Sequence, residues 1–224
     1  MAVKEIFLIE QVSKNLKLCI SKKHRFGTDA LLLAEFSEIR KKDSVCDLCS
    51  GGGIIPILIK RDFSPREIWA VEIQNEAYEL MCETKNLNNL DEFHPVCADL
   101  NNLPADFPKQ FDVITCNPPY KKSGSGIPSE DESDKIARFE IMCNIGDICK
   151  TASNLLKDGG RLCLCNRPER LADVISAMKD NGIEPKRLRF VHKNTHSKPW
   201  LFLIDGTKGG KSFLNVSEPL IINE

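Results

Sequence analysis

The strongest constraint on this chain is a repeated switch between two hydrophobic periods. Short apolar runs at residues 44–48, 67–73, 93–98, 111–116 and 161–165 have the length and composition of buried strands. Between and after them, residues 53–61, 75–87, 138–156 and 168–180 carry the 3.6-residue apolar spacing of amphipathic helices. In residues 75–87 the spacing predicts an inward face of Ala77, Leu80 and Met81, which Leu87 could extend. Strand and helix in alternation require right-handed crossovers, so the fold class is α/β, a parallel sheet with helices on both faces. Residues 184–192 and 198–204 are two more strands with no helical pattern between them, joined by a polar turn near Asn194 and Thr195. They predict an antiparallel hairpin at one sheet edge. Upstream, residues 6–9 and 17–21 alternate as a short hairpin or arm, and Thr28 or Asp29 is placed to cap a helix through Leu31, Leu32, Leu33 and Phe36.

A chain of 224 residues suits one compact domain. Its expected parts are an N-terminal arm and lead-in helix (1–40), a core (41–206) and a basic C-terminal tail (207–224). The absence of about 20 consecutive apolar residues excludes a spanning helix, and the first residues lack a signal-peptide pattern. The expected location is therefore the cytoplasm. Ten cysteines then read as buried thiols in a reducing compartment rather than disulfides. Cys46 and Cys49 have CxxC spacing, but no second pair follows to complete a zinc site, and no metal is expected. A net charge of −1 argues against the whole chain being a polyanion binder. Basic residues nevertheless concentrate in two segments, 11–28 and 186–211, where they would serve phosphate contacts. The run 121–134 is too polar to pack and reads as a loop.

Open α/β sheets bind ligands beyond the carboxyl ends of their strands. After the first of these strands stands Asp47-Leu48-Cys49-Ser50-Gly51-Gly52-Gly53, a turn whose glycines let backbone approach a ligand ahead of a helix N-terminus. Roughly 20 residues on, Glu72 sits where an acid chelates ribose hydroxyls. Asp99, followed by Leu100, can accept a hydrogen bond from a purine amino group while Leu100 packs on the ring. The fourth strand leads into Asn117-Pro118-Pro119-Tyr120. The prolines stiffen the backbone and leave a carbonyl free to face a pocket. The Asn117 side-chain oxygen and the Pro118 carbonyl can each accept one hydrogen of a planar NH₂ group, aiming its lone pair for in-line displacement. Tyr120 offers a flat face for stacking. The nitrogen can shed its proton after the transfer, so a general base is not required.

These residues resemble the class I S-adenosylmethionine-dependent methyltransferases of the N-methylating branch marked by Asn-Pro-Pro-Tyr, over residues 20–206. Phe26-Gly27-Thr28-Asp29-Ala30-Leu31-Leu32-Leu33, the glycine loop and the Asn117 motif together resemble the bacterial tRNA adenine-N6 methyltransferase group. The ending Gly206-Thr207-Lys208-Gly209-Gly210-Lys211 is similar to that of Gram-positive relatives. The resemblance implies a Rossmann-like, seven-stranded, mostly parallel sheet with an antiparallel last strand. It implies S-adenosyl-L-methionine as cofactor, held by Thr28, Asp47, Cys49, Ser50, Gly51, Gly53, Glu72, Ile73, Asp99, Leu100 and Asn117. Asp47 and Gly51 border its methionine moiety, and Thr28 helps close the pocket. Catalysis falls to Asn117, Pro118, Pro119 and Tyr120. The implied substrate is an adenine N6 in the anticodon loop of tRNA, with phosphate contacts from Lys22, Lys23, Arg25, Lys121, Lys122, Lys208 and Lys211. One departure is Cys49, which occupies the place of the family's first loop glycine. Ribosomal RNA bases and a release-factor glutamine present a similar NH₂ group, and a non-catalytic RNA- or protein-binding module is the reading from another class. Glutamine-modifying relatives carry a separate N-terminal helical domain, for which residues before 41 are too few.

Overall fold

The computed structural model describes residues 7–24, 26–119 and 144–222. Arg25, Tyr120, Lys121, Lys122, the loop 121–134 and the start of the helix expected from residue 138 lie outside the described residues. The chain opens with an antiparallel hairpin, β1 (Leu8–Ser13) and β2 (Leu16–Ile20). Then follow α1 (Thr28–Phe36), β3 (Ser44–Leu48), α2 (Ile54–Phe63), β4 (Glu67–Glu72), α3 (Asn75–Asn88), β5 (Phe93–Cys97) and β6 (Phe111–Cys116). After the undescribed stretch come α4 (Ile145–Leu155), β7 (Leu156–Asn166), α5 (Leu171–Asp180), β8 (Ile183–His192) and β9 (Pro199–Lys208). Two short strands, β10 (Asn215–Val216) and β11 (Leu220–Ile221), complete the order.

The main sheet runs β10-β8-β9-β7-β6-β3-β4-β5, with β11 also on β8. Strands β3 to β7 are mutually parallel where they pair, while β9 is antiparallel to both neighbours, β7 and β8. This is the expected reversed last strand, inserted between two parallel ones. Among the described residues the sheet has nine strands rather than seven, because β10 and β11 extend its outer edge along β8. Each is two residues long, too short to show alternation in sequence.

Both sheet faces are covered, and the period of two sorts side chains between them. On β7, Cys163 and Cys165 join the core under α1 and α2, while Leu162 and Leu164 join the core under α4 and α5. On β9, Leu201 and Leu203 face the first core, Phe202 and Ile204 the second. Among the described residues six cysteines, including Cys46 and Cys163, are buried free thiols, although Cys97 is exposed. The N-terminal hairpin is bound to the body: the Cys19 amide donates to Thr84 Oγ1 at 2.9 Å, and Asn88 of α3 exchanges hydrogen bonds with the Lys17 backbone.

The C-terminus of α1 is fastened to the sheet by two arginines. Arg187 on β8 donates to the Phe36 carbonyl at 2.6 Å and lies over the Phe36 ring, its guanidinium carbon 4.0 Å from the centroid. Arg161 on β7 donates to the Ser37 carbonyl at 2.8 Å. Buried Asp205 on β9 accepts from Arg187 Nε at 3.0 Å and lies 3.6 Å from Arg161. Burial pushes the Asp205 carboxyl above its ordinary range, with the two guanidiniums pulling the other way. Removing the acid takes away the carboxylate that the two half-buried guanidiniums share and leaves Arg187 with Glu38 at 2.5 Å. Asp205→Ala is expected to lower unfolding free energy by about 3 kcal/mol in urea titration; a change below ~0.5 kcal/mol would show that the arginines find sufficient partners at the α1 terminus.

Candidate active site

The carboxyl ends of β3, β4, β5 and β6 meet at one edge, where their connections surround a cleft of about 500 Å³. After Leu48 the chain turns through Cys49, whose φ of 58° is left-handed. Cysteine therefore adopts the conformation a glycine would take freely, which settles how the loop closes despite that departure from the family pattern. Gly53, at φ 83°, is demanded twice: a Cβ there would also sit 2.8 Å from Met81 Cγ on α3. The Ser50 amide donates to the Val71 carbonyl at 3.0 Å, binding the loop to the neighbouring strand. Helix α2 starts immediately afterwards, directing its unpaired N–H groups toward this edge.

Three carboxylates organise the edge in different ways. Glu72 accepts from the Gly51 amide at 2.8 Å and the Gln74 amide at 2.9 Å, so one side chain holds the ends of two connections while lining the cleft. Asp99 accepts from the Asn101 amide at 2.9 Å and also lines the cleft, with Leu100 and Ile73. Asp47 is fully buried beneath the loop. Its oxygens accept from Ser50 Oγ at 2.6 Å and Thr115 Oγ1 at 2.5 Å. Burial pushes its carboxyl up to about 7; the two hydroxyls oppose the rise, and the charge of Glu72 adds to it.

Beyond β6, Asn117 is half-buried, Pro118 is buried, and exposed Pro119 joins Asn117 in lining the cleft. Both ends of the Asn117 amide are engaged. Its Nδ2 donates to Asp29 Oδ2 at 3.2 Å, and its Oδ1 accepts from the Cys165 thiol at 3.1 Å.

The structure thus gathers Cys49, Gly51, Glu72, Ile73, Asp99, Leu100, Asn117 and Pro119 around one cavity. Ser50, Gly53 and Asp47 support the loop and are not among the cleft-lining residues. Thr28 is exposed at the start of α1 and does not line the cleft either; its neighbour Asp29 is the residue of that run that reaches Asn117. Lys23 lines the cleft and pairs with Glu76 at 3.0 Å, whereas Lys22 is exposed outside it. Lys208 lies on the opposite side. Because β9 is reversed, its last residues pair with the beginnings of β7 and β8, and Lys208 Nζ donates to the Leu156 carbonyl at 2.8 Å. Lys211, three residues further on, shares that far edge, its carbonyl accepting from Lys186 Nζ. The 193–198 turn, with Lys193, His196 and Lys198, lies at the same end of the sheet as the cleft without lining it. Sequence reasoning passed over Asp29, His24, Gln74 and Glu76; only Asp29 had a signal, its place in the Phe26-Gly27-Thr28-Asp29 run. Among the described residues no group of three His, Cys, Asp or Glu side chains is placed to hold a metal ion.

Sheets with one reversed strand inserted at this position are those of class I methyltransferases. A solved structure described as a predicted O-methyltransferase from Agrobacterium tumefaciens superposes with a TM-score of 0.69 over 86% of each chain; at 21% identity it speaks for the fold alone. The chain belongs to the methyltransferase small domain family, which matches residues 21–180. A relative from Histophilus somni strain 129Pt, named tRNA1(Val) (adenine(37)-N6)-methyltransferase, is 30% identical over 169 residues, 73% of this chain and 68% of the relative. A release factor glutamine methyltransferase from Clostridium botulinum is also 30% identical, over 148 residues that cover 62% of this chain and 52% of that protein.

The Asp47 carboxyl makes stability depend on pH. Its pKa when folded, about 7, exceeds the unfolded value near 4, so the folded chain keeps a proton that the unfolded chain releases. This contribution is complete below about pH 4 and is lost as pH rises through about 7. Asp47→Asn removes the titration. Between pH 5 and 8 the variant is expected to gain up to about 3 kcal/mol relative to the parent in urea unfolding; parallel pH curves would contradict the shift. Cys49→Gly relieves the left-handed strain and is expected to raise the melting temperature by about 2 °C, read by calorimetry.

Proposed function

We propose that this protein transfers a methyl group from S-adenosylmethionine to the exocyclic N6 of an adenine in tRNA, in the anticodon loop. The observation that carries the proposal is that Asn117 and Pro119, on either side of Pro118, line the same cleft as Glu72 and Asp99. The cleft volume of about 500 Å³ lies in the range of small-molecule sites. Its donor set also fits this cofactor: backbone at Gly51, a carboxylate at the second strand end, a carboxylate after the third, and apolar Ile73 and Leu100 for a purine.

When bound, the cofactor supplies an electrophilic sulfonium methyl. Glu72 keeps free lone pairs for ribose hydroxyls while its fixed oxygens hold the loop, and Asp99 accepts from the adenine amino group. Asn117 Oδ1 and the Pro118 carbonyl accept the two hydrogens of the substrate NH₂ and fix the direction of its lone pair. Transfer to that nitrogen would leave positive charge on it, which both carbonyl dipoles would stabilise. The nitrogen then loses a proton to solvent.

For a tRNA substrate, the support is the named activity of the Histophilus somni relative and the larger share of that protein that aligns, 68% against 52% of the glutamine-modifying one. Such a substrate makes the cytoplasm the place of action. A release-factor glutamine offers the same planar NH₂ and is the second reading, favoured by the Clostridium botulinum relative.

The test is transfer of labelled methyl to total bacterial tRNA, with nucleoside mass analysis, beside the same reaction on release factor. Labelled N6-methyladenosine is expected, reduced about 10²–10³-fold in Asn117→Ala with cofactor affinity within a few fold. Label in release factor with none in tRNA would move the activity to glutamine.

A further inference from the structure

From the contacts around Asn117 we infer that Asp29 is a positioning residue for methyl transfer, and that the Gly27-Thr28-Asp29 run serves the nucleophile's side of the cleft rather than the cofactor. The inference rests on the proposed N-methylation and adds a residue to it. Its basis is an asymmetry of hydrogen-bonding groups. Asn117 has an oxygen that can receive a substrate N–H and an NH₂ that cannot, and the two differ only by a half-turn of the amide. A carboxylate only accepts. With Asp29 Oδ2 3.2 Å from Asn117 Nδ2, the half-turn would put two oxygens face to face. The Cys165 thiol, donating to Oδ1 at 3.1 Å, favours the same orientation from the other side. Oδ1 retains a second lone pair for the substrate. Asp29 therefore selects the amide orientation that can receive an amino group. Its charge also polarises the amide, making Oδ1 a better acceptor as positive charge develops on the substrate nitrogen.

The local backbone is arranged for this reach. Asp29 lies in the first turn of α1, where the helix alone would favour an acid. Its side chain, however, is folded back over Gly27. A Cβ at Gly27 would fall 2.5 Å from Asp29 Oδ1, so any larger residue there must displace the carboxylate. This separates two roles for Asp29. Stabilising α1 requires only the charge near the helix start. Orienting Asn117 requires the carboxylate at its present place, and hence a glycine at position 27.

The experiment compares Asp29→Ala, Asp29→Asn and Gly27→Ala with the parent, after melting curves establish that each is folded. The readouts are single-turnover transfer at saturating cofactor and tRNA, calorimetric cofactor affinity, and solvent exchange of the Asn117 side-chain NH₂ by NMR. Asp29→Ala is expected to slow transfer about 100-fold with cofactor affinity and KM for tRNA changed less than about threefold. Asp29→Asn, which retains an acceptor, is expected to recover at least about tenfold of that loss. Gly27→Ala keeps the charge and is expected to slow transfer about tenfold or more; it also serves if Asp29→Ala does not fold. Parent-like transfer in both Asp29→Ala and Gly27→Ala would overturn the inference, as would a loss expressed wholly in cofactor affinity. Should the parent methylate no tRNA, the substrate reading fails, and the exchange measurement still decides this one. Faster exchange of the Asn117 NH₂ in Asp29→Ala supports the clamp, and unchanged exchange overturns it.

Discussion

The carboxylate of Glu72 is the fixed point on which the cleft depends. Parallel strands end side by side, but nothing in a parallel sheet by itself dictates how the connections beyond them are spaced. Glu72 supplies that spacing by accepting one amide from the β3–α2 loop and one from the β4–α3 connection. Two backbone donors that would otherwise need water are satisfied by one side chain. Its remaining lone pairs face the cavity. The same group thus builds the wall and presents it to a ligand.

Beneath this wall lies a less comfortable arrangement. Asp47 is buried near the carboxyl end of β3, and its two hydroxyl partners only partly offset the cost of removing a charge from water. Near neutrality it sits at the boundary between its two protonation states. Asp205 meets a similar burial differently, since two guanidiniums share it while also holding the end of α1. That second network bears on function through geometry. It anchors the C-terminus of α1 to β7, β8 and β9, and the opposite end of the same helix carries Asp29 to Asn117.

The reversed strand β9 has the widest consequence for where charge lies. It carries Lys208 to the end of the sheet away from the cleft, while the preceding 193–198 turn lies at the cleft's end. The basic residues of segment 186–211 are therefore divided between the two ends of the sheet. The C-terminal residues that follow return along β8 as β10 and β11, covering an edge that would otherwise offer unpaired backbone groups.

Much of this was legible in the chain itself. Two hydrophobic periods fix strands and helices locally, because burial acts on each segment's own faces; their alternation fixes a parallel sheet. The strand ends then located Cys49, Gly51, Glu72, Asp99 and Asn117, since the chemistry of such sheets concentrates there. What the chain could not state was which segments lie beside one another. Thr28 and Asp29 look equivalent in sequence, and only the packing of α1 against β7 and β9 gives the contact to Asp29. Lys208 and Lys211 read as part of one basic surface until the direction of β9 removes them from it. Two-residue strands leave no periodic trace, so β10 and β11 appear only once β8 is there to pair with. Local periodicity is written in neighbouring residues, whereas direction and adjacency arise from contacts between residues far apart, which form only when the whole sheet assembles.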